Sequence, residues 1–282
     1  MSHFLSIRPT PHEMGSDVSP LPVSAVSENV ATTLELHQIP VEEVHIDPES
    51  RIVLHTDPRG LAADRFRFLR LRLRERADAV GLKTILVTSP LPQDGKSTVA
   101  LNVATALAER GKRSVLLLEA DMHHPTLAQL LGVPVGPGLA ECLENGVDPM
   151  SAVRRLEPLG WYLVPSGDAH GNPTELLQSD RISNILGTLS RHFDWVVIDS
   201  PPVTPVTDAL SLARHADASL LVVRAGRTTH EAVTAACTLL GAKNVIGIIL
   251  NGVEGLTRLY SKYYGRYGSA ASTGSNGNGV GK

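Results

Sequence analysis

Residues 84–110 read TILVTSPLPQDGKSTVALNVATALAER. An apolar run, Thr84–Thr88, enters a loop rich in turn formers, and Gly95, Lys96 and Ser97 then open an apolar helical pattern over Ser97–Arg110. Strand, tight loop, Gly-Lys-Ser and helix start are the parts of a phosphate-binding loop. Backbone N–H groups at a helix start lack intrahelical acceptors, and the helix dipole favours an anion there. Gly95 lets the chain approach a phosphate without a Cβ. Gln93, Asp94, Gly95, Lys96, Ser97 and Thr98 are therefore the expected nucleotide-binding residues, with Lys96 on the β- and γ-phosphates and the Ser97 hydroxyl on Mg²⁺. One departure stands out: Pro90 occupies the place of the motif's first glycine.

Further strand candidates are Ser114–Leu118, Trp161–Val164, Trp195–Ile198, Ser219–Val223 and Val245–Leu250. Most are continuous apolar runs (VLLL, WVVI, LLVV, VIGIIL), as expected of strands buried on both faces of a parallel sheet. Helical patterns alternate with them near Pro125–Leu131 and over Arg181–His192, Thr207–His215 and Thr229–Leu240. This alternation predicts an α/β fold with a doubly wound, mostly parallel sheet of P-loop type, its ligand beyond the carboxyl ends of the strands. Two runs end there in acid: VLLL leads to Glu119 and Asp121, and WVVI to Asp199. Carboxylates so placed can hold Mg²⁺ beside the loop. Asp199 is expected in that role, and Asp121 as a second metal contact or as a base toward an attacking hydroxyl.

The 282-residue chain carries 26 Lys and Arg against 29 Asp and Glu, net −3, so no basic field calls for nucleic acid. Its two cysteines fit small core residues in a reducing compartment. No stretch approaches the ~18 apolar residues of a membrane span, and the first residues lack an apolar leader core, so a cytoplasmic protein is expected. Residues 1–50 read as a flexible arm with a short extended piece near Arg51–His55, residues 51–267 as the domain, and residues 268–282 as a disordered tail.

These motifs resemble the bacterial tyrosine kinases of exopolysaccharide synthesis and export, over roughly residues 55–267. That family's loop, commonly T-S-x-x-P-G-E-G-K-S, is similar to Thr88–Ser97, with Gln93 and Asp94 in place of Gly and Glu. Its D-A-D-x-R-x-P resembles Glu119–Pro125, with Glu119 for Asp and His123 for Arg, and its D-S-P-P matches Asp199–Pro202. Its E-x-x-R-x-x-R oligomerisation motif resembles Asp64, Arg67 and Arg70, in a segment whose letters fit a strand or a helix. Four of the five tyrosines, Tyr260, Tyr263, Tyr264 and Tyr267, cluster before the tail. The resemblance implies an autokinase that uses ATP and Mg²⁺, takes phosphate on those tyrosines, assembles with copies of itself and works with a separate membrane polysaccharide co-polymerase. The substitutions at 119 and 123 imply weakened or partner-dependent activity. A partition-type ATPase switch and a non-catalytic nucleotide-binding scaffold are the alternatives, although Leu91 stands where partition ATPases carry a signature lysine.

Overall fold

Alternating apolar runs and amphipathic stretches produce eight strands and nine α-helices in the computed structural model, which describes residues 35–204 and 207–253. In chain order they are β1 (Val41–Glu43), α1 (Val53–Thr56), α2 (Leu61–Val80), β2 (Thr84–Thr88), α3 (Lys96–Ala108), β3 (Val115–Glu119), α4 (Leu127–Leu131) and α5 (Leu139–Asn145). There follow β4 (Arg154–Glu157), β5 (Trp161–Val164), α6 (Pro173–Leu177), α7 (Arg181–His192), β6 (Trp195–Asp199), α8 (Asp208–Ala213), β7 (Ala218–Arg224), α9 (His230–Leu240) and β8 (Val245–Asn251). The strands form one sheet in the order β1-β4-β5-β3-β6-β2-β7-β8, parallel except for the β4–β5 pair.

Side chains alternate across the sheet, so each strand feeds two cores. Leu86, Leu116, Leu118, Val196 and Ile198 pack on one face with Ile182, Ile185 and Leu189 of α7. Ile85, Val87, Leu117 and Val197 pack on the other with Val99, Leu101, Val103 and Leu107 of α3. Helix α3 lies between sheet and α2 and is apolar almost all round; its polar Asn102 hydrogen-bonds the Arg51 and Thr98 carbonyls and the Val53 amide. Cys142 is buried in the first core and Cys237 packs partly against it.

Several local expectations are corrected. Residues 41–43, read as part of a flexible arm, form the edge strand β1, because Val41–Glu43 pairs in register with Arg155–Glu157. The extended piece near Arg51–His55 is instead the short helix α1. Among the described residues the run VIGIIL is not a doubly covered strand: β8 pairs only with β7 there, and Ile248 and Leu250 are 54% and 58% exposed. Segment 61–80 is a helix, with Leu73 buried and Phe66, Leu69 and Ala77 packed against the core, while Val80 at its end is exposed. The tyrosine cluster at 260–267 and the segment 268–282 lie outside the described residues.

Candidate nucleotide and metal site

Register brings the acidic strand ends to one place. Glu119 of β3 pairs with Asp199 of β6, and Val87 of β2 pairs with Asp199 on the other side. The chain leaving β2 therefore enters the phosphate loop beside both carboxylates. Gly95, at φ 95°, precedes the first helical residue, and a Cβ there would lie 2.1 Å from Asn251 Nδ2. Gln93 stands where the resembling motif has glycine, and it keeps a left-handed backbone at φ 65°. Its side-chain oxygen accepts two hydrogen bonds from Arg227, each 3.2 Å.

Asp94 serves differently from the expectation. It is fully buried, Oδ1 accepts from Thr228 Oγ1 at 2.7 Å, and Oδ2 accepts from the Leu91 amide at 3.3 Å. Asn251 Nδ2 donates to its carbonyl at 2.9 Å. The Asp94 side chain thus braces the loop from behind and does not line the cavity. Arg227, Thr228 and Asn251, which hold the loop from the ends of β7 and β8, were not singled out from the sequence. Nothing in their local pattern marks them, because they meet the loop only when the strands are aligned.

The cavity in front of the loop measures about 540 Å³. Gln93, Gly95, Lys96, Ser97 and Thr98 line it from the loop, Asp121, His123 and Thr126 from the β3 side, and Pro201 and Pro202 from beyond β6. Lys96 Nζ lies 2.7 Å from Asp121 Oδ2. Burial disfavours the ammonium, but Asp199, Asp121 and Glu119 together outweigh it and hold the Lys96 pKa above the ordinary lysine value. The second Asp121 oxygen accepts from the His124 amide at 3.1 Å.

Asp199 is buried, and its Oδ1 has no hydrogen-bond partner among the described residues. Burial, helped by repulsion from Asp121 and Glu119, pushes its pKa up to about 7 against the pull of Lys96 and Ser97. A buried carboxylate oxygen without a partner is a costly arrangement. It fits a divalent cation, a hard ion that takes oxygen ligands, and Ser97, Asp121 and Asp199 are the residues that would hold it.

Glu119 is committed elsewhere. Oε1 accepts from the Thr126 and Leu127 amides and Oε2 from the Ser166 amide at 3.1 Å. Its extra methylene carries the carboxylate past the cavity to the start of α4. His123 occupies the place of the family's arginine. Its Nε2 lies 2.8 Å from Oδ2 of Asp208, a fully buried residue at the first position of α8.

The profile of the ParA family, described as NUBPL iron-transfer P-loop NTPase, matches residues 82–256. The tyrosine-protein kinase YwqD of Bacillus subtilis is 30% identical over 225 residues, covering 78% of this chain and 92% of YwqD. The chain belongs to the bacterial tyrosine-kinase family of P-loop proteins. The kinase domain of Escherichia coli tyrosine kinase ETK superposes with a TM-score of 0.69 at 25% identity, covering 87% of this chain and 96% of that domain. The putative tyrosine-protein kinase EpsB of Ralstonia nicotianae is 33% identical over 242 residues, and there the match spans 81% of this chain but only 32% of EpsB. The chain thus corresponds to nearly the whole of YwqD and to about a third of EpsB. Among the described residues no helix is long and apolar enough to cross a membrane.

Proposed function

We propose that this chain is a protein-tyrosine autokinase that uses Mg-ATP and regulates exopolysaccharide or capsule synthesis or export. The observation that carries the reading is the convergence of Lys96, Asp121 and Asp199 on the cavity at the N-terminus of α3. The α3 amides and Lys96 bind the β- and γ-phosphates, and Lys96 moves from Asp121 to the phosphates as they enter. Ser97, Asp121 and Asp199 would hold the Mg²⁺, which would supply charge neutralisation to the phosphates. A tyrosine oxygen attacks the γ-phosphorus, the bond to the ADP oxygen breaks, and the phenolic proton passes to a carboxylate. In the alternative arrangement, with Ser97 and Asp199 holding the metal, Asp121 is the base that takes this proton. Pro201 and Pro202 wall the cavity with apolar surface and help to exclude water, which protects a phosphoryl group from hydrolysis.

Residues 51–267 form the kinase domain in this reading. Tyr260, Tyr263, Tyr264 and Tyr267 are its phosphoacceptors, entering the cavity of a neighbouring copy. A separate membrane co-polymerase recruits the protein from the cytoplasm. Support comes from the tyrosine cluster beyond β8 and from the kinase names of the relatives.

The test pairs two inactive partners. Lys96→Met should abolish self-labelling by Mg-ATP and leave the circular dichroism spectrum unchanged. The variant with all four cluster tyrosines changed to Phe should bind ATP but accept almost no phosphate. Mixed together, the Lys96→Met chain should become tyrosine-phosphorylated, read by intact mass. Labelling of the four-Phe chain at the parent level would move the acceptor elsewhere. Absence of label in every mixture, with a membrane partner supplied, would leave a nucleotide-binding scaffold.

A further inference from the structure

Helix α3 carries the chain from the phosphate loop to the opposite end of the sheet, about 20 Å away for thirteen residues. A second cavity, of about 680 Å³, opens there between α2, the end of α3 and the β4–β5 turn. Arg67, Arg70, Arg110 and Lys112 line it, against a single carboxylate, Glu109. That carboxylate is occupied by Arg74 at 2.9 Å, and Arg67 is neutralised by Asp64 at 2.7 Å. Among the described residues Arg70 has only a long contact, 3.5 Å, to the Ala106 carbonyl. Arg110 and Lys112 make no hydrogen bond or ion pair among the described residues. Among the described residues, three cations therefore face one cavity whose single carboxylate, Glu109, is already paired with Arg74.

The backbone that presents them is unusual. Glu109 and Arg110 both adopt left-handed conformations, at φ 49° and 60°, followed by Gly111 at φ 80°. Side chains disfavour this region, and two successive residues without glycine are held in it only where surrounding structure dictates. Glycine at 110 would satisfy the backbone equally well; arginine there places a guanidinium at the cavity mouth. Burial lowers the proton affinity of His55 in the same cavity lining, and the Arg110 charge lowers it further.

We propose that this cavity is a binding site for a phosphomonoester dianion, with Arg70, Arg110 and Lys112 as its ligands. Two negative charges on one compact group match three convergent cations, and guanidinium groups bind phosphate oxygens through paired N–H donors. Leu54, Pro58 and Leu159 supply apolar wall beside the cations, room for the ring of a phosphotyrosine. Such a site would read phosphorylation at a distance from the catalytic cavity. It does not depend on the kinase reading, because a phosphorylated ligand from any source would occupy it.

The test uses the full chain saturated with Mg-ADP, so that phosphate probes do not report the loop. Titration calorimetry with O-phospho-L-tyrosine should show one site per chain, and unphosphorylated tyrosine none. Combined Arg110→Ser and Lys112→Ser should weaken phosphotyrosine binding about tenfold or more, since it removes two charge-assisted contacts. Arg110→Gly should weaken it too while leaving the melting temperature equal or higher, which separates lost contact from lost fold. Inorganic phosphate binding as tightly as phosphotyrosine would identify a free phosphate as the ligand; a clear preference for phosphotyrosine would identify a modified side chain. No binding of either probe, or unchanged binding in both variants, overturns the proposal.

Discussion

Asp199 sits where three demands meet: a buried position at the end of β6, proximity to two other acids, and an oxygen left without a partner. Its pKa of about 7 in the fold exceeds the ordinary 3.8, so between those values the folded chain binds a proton that the unfolded chain does not. Stability from this group is therefore greatest at the acid end of that window and is lost as pH rises through the folded value. Two outcomes follow at this residue. Asp199→Asn should flatten the fall in melting temperature between about pH 4 and about pH 7. Binding of Mg-ADP near pH 6 should release a proton from the parent chain, read as a buffer-dependent calorimetric heat, and release less from the variant. Identical heats in the two proteins would remove Asp199 from the metal shell. Gln93 makes a different residue-scale point. It holds a glycine-like backbone without being glycine, so Gln93→Gly should leave the loop's path intact while deleting the Arg227 bonds.

Among the elements, α4 shows how a site residue inferred from a motif became a structural one. Glu119 sits in register opposite Asp199, which by strand position alone puts it with the metal ligands. Its longer arm instead accepts from the Thr126 amide and from the Leu127 and Ser166 amides, the last two belonging to buried residues. Glu119→Ala should cost roughly 3 kcal/mol of stability, from lost charged hydrogen bonds and unsatisfied donors, measured by urea unfolding. Residual activity per folded molecule should change far less than for Asp199→Asn. An unstable protein is thus the expected phenotype at 119, and an inactive one at 199. The Glu119 carboxylate is turned to these amides, so position 119 contributes no oxygen to the cavity. His123 remains the substitution that does line it.

At the scale of the whole molecule, the proposed self-association would use the exposed face of α2. Phe68 and Leu71 are 54% and 53% exposed on it, and Arg72 lies over the Phe68 ring, 5.2 Å from its centroid. Within the helix Arg67 is paired with Asp64 at 2.7 Å, so Asp64 orders the guanidinium on this face. Changing Arg67 and Arg70 together to Ala should lower the assembled mass in light scattering at matched concentration, and the loss should be greater at low salt-screening than the helix's own stability change explains. An unaltered mass would leave α2 as a solvated face.

The chain's own letters determined the fold class and the phosphate loop, because both rest on local physics. Apolar runs of strand length, helical stripes between them, and Gly95-Lys96-Ser97 at a strand-to-helix step are readable without knowing any long-range contact. The acidic strand ends were legible for the same reason, since a parallel sheet sends every such residue to one edge. Tertiary structure alone decided which acid does what. Glu119 and Asp121 are two residues apart, yet one caps α4 and the other pairs with Lys96, a choice made by where α4 and α3 come to rest. It also decided that β8 stands at the edge of the sheet among the described residues, that residues 41–43 join that sheet, and that Arg227, Thr228 and Asn251 grip the loop. Those facts depend on strand order and register, which bring together residues more than a hundred positions apart and leave no mark on local sequence.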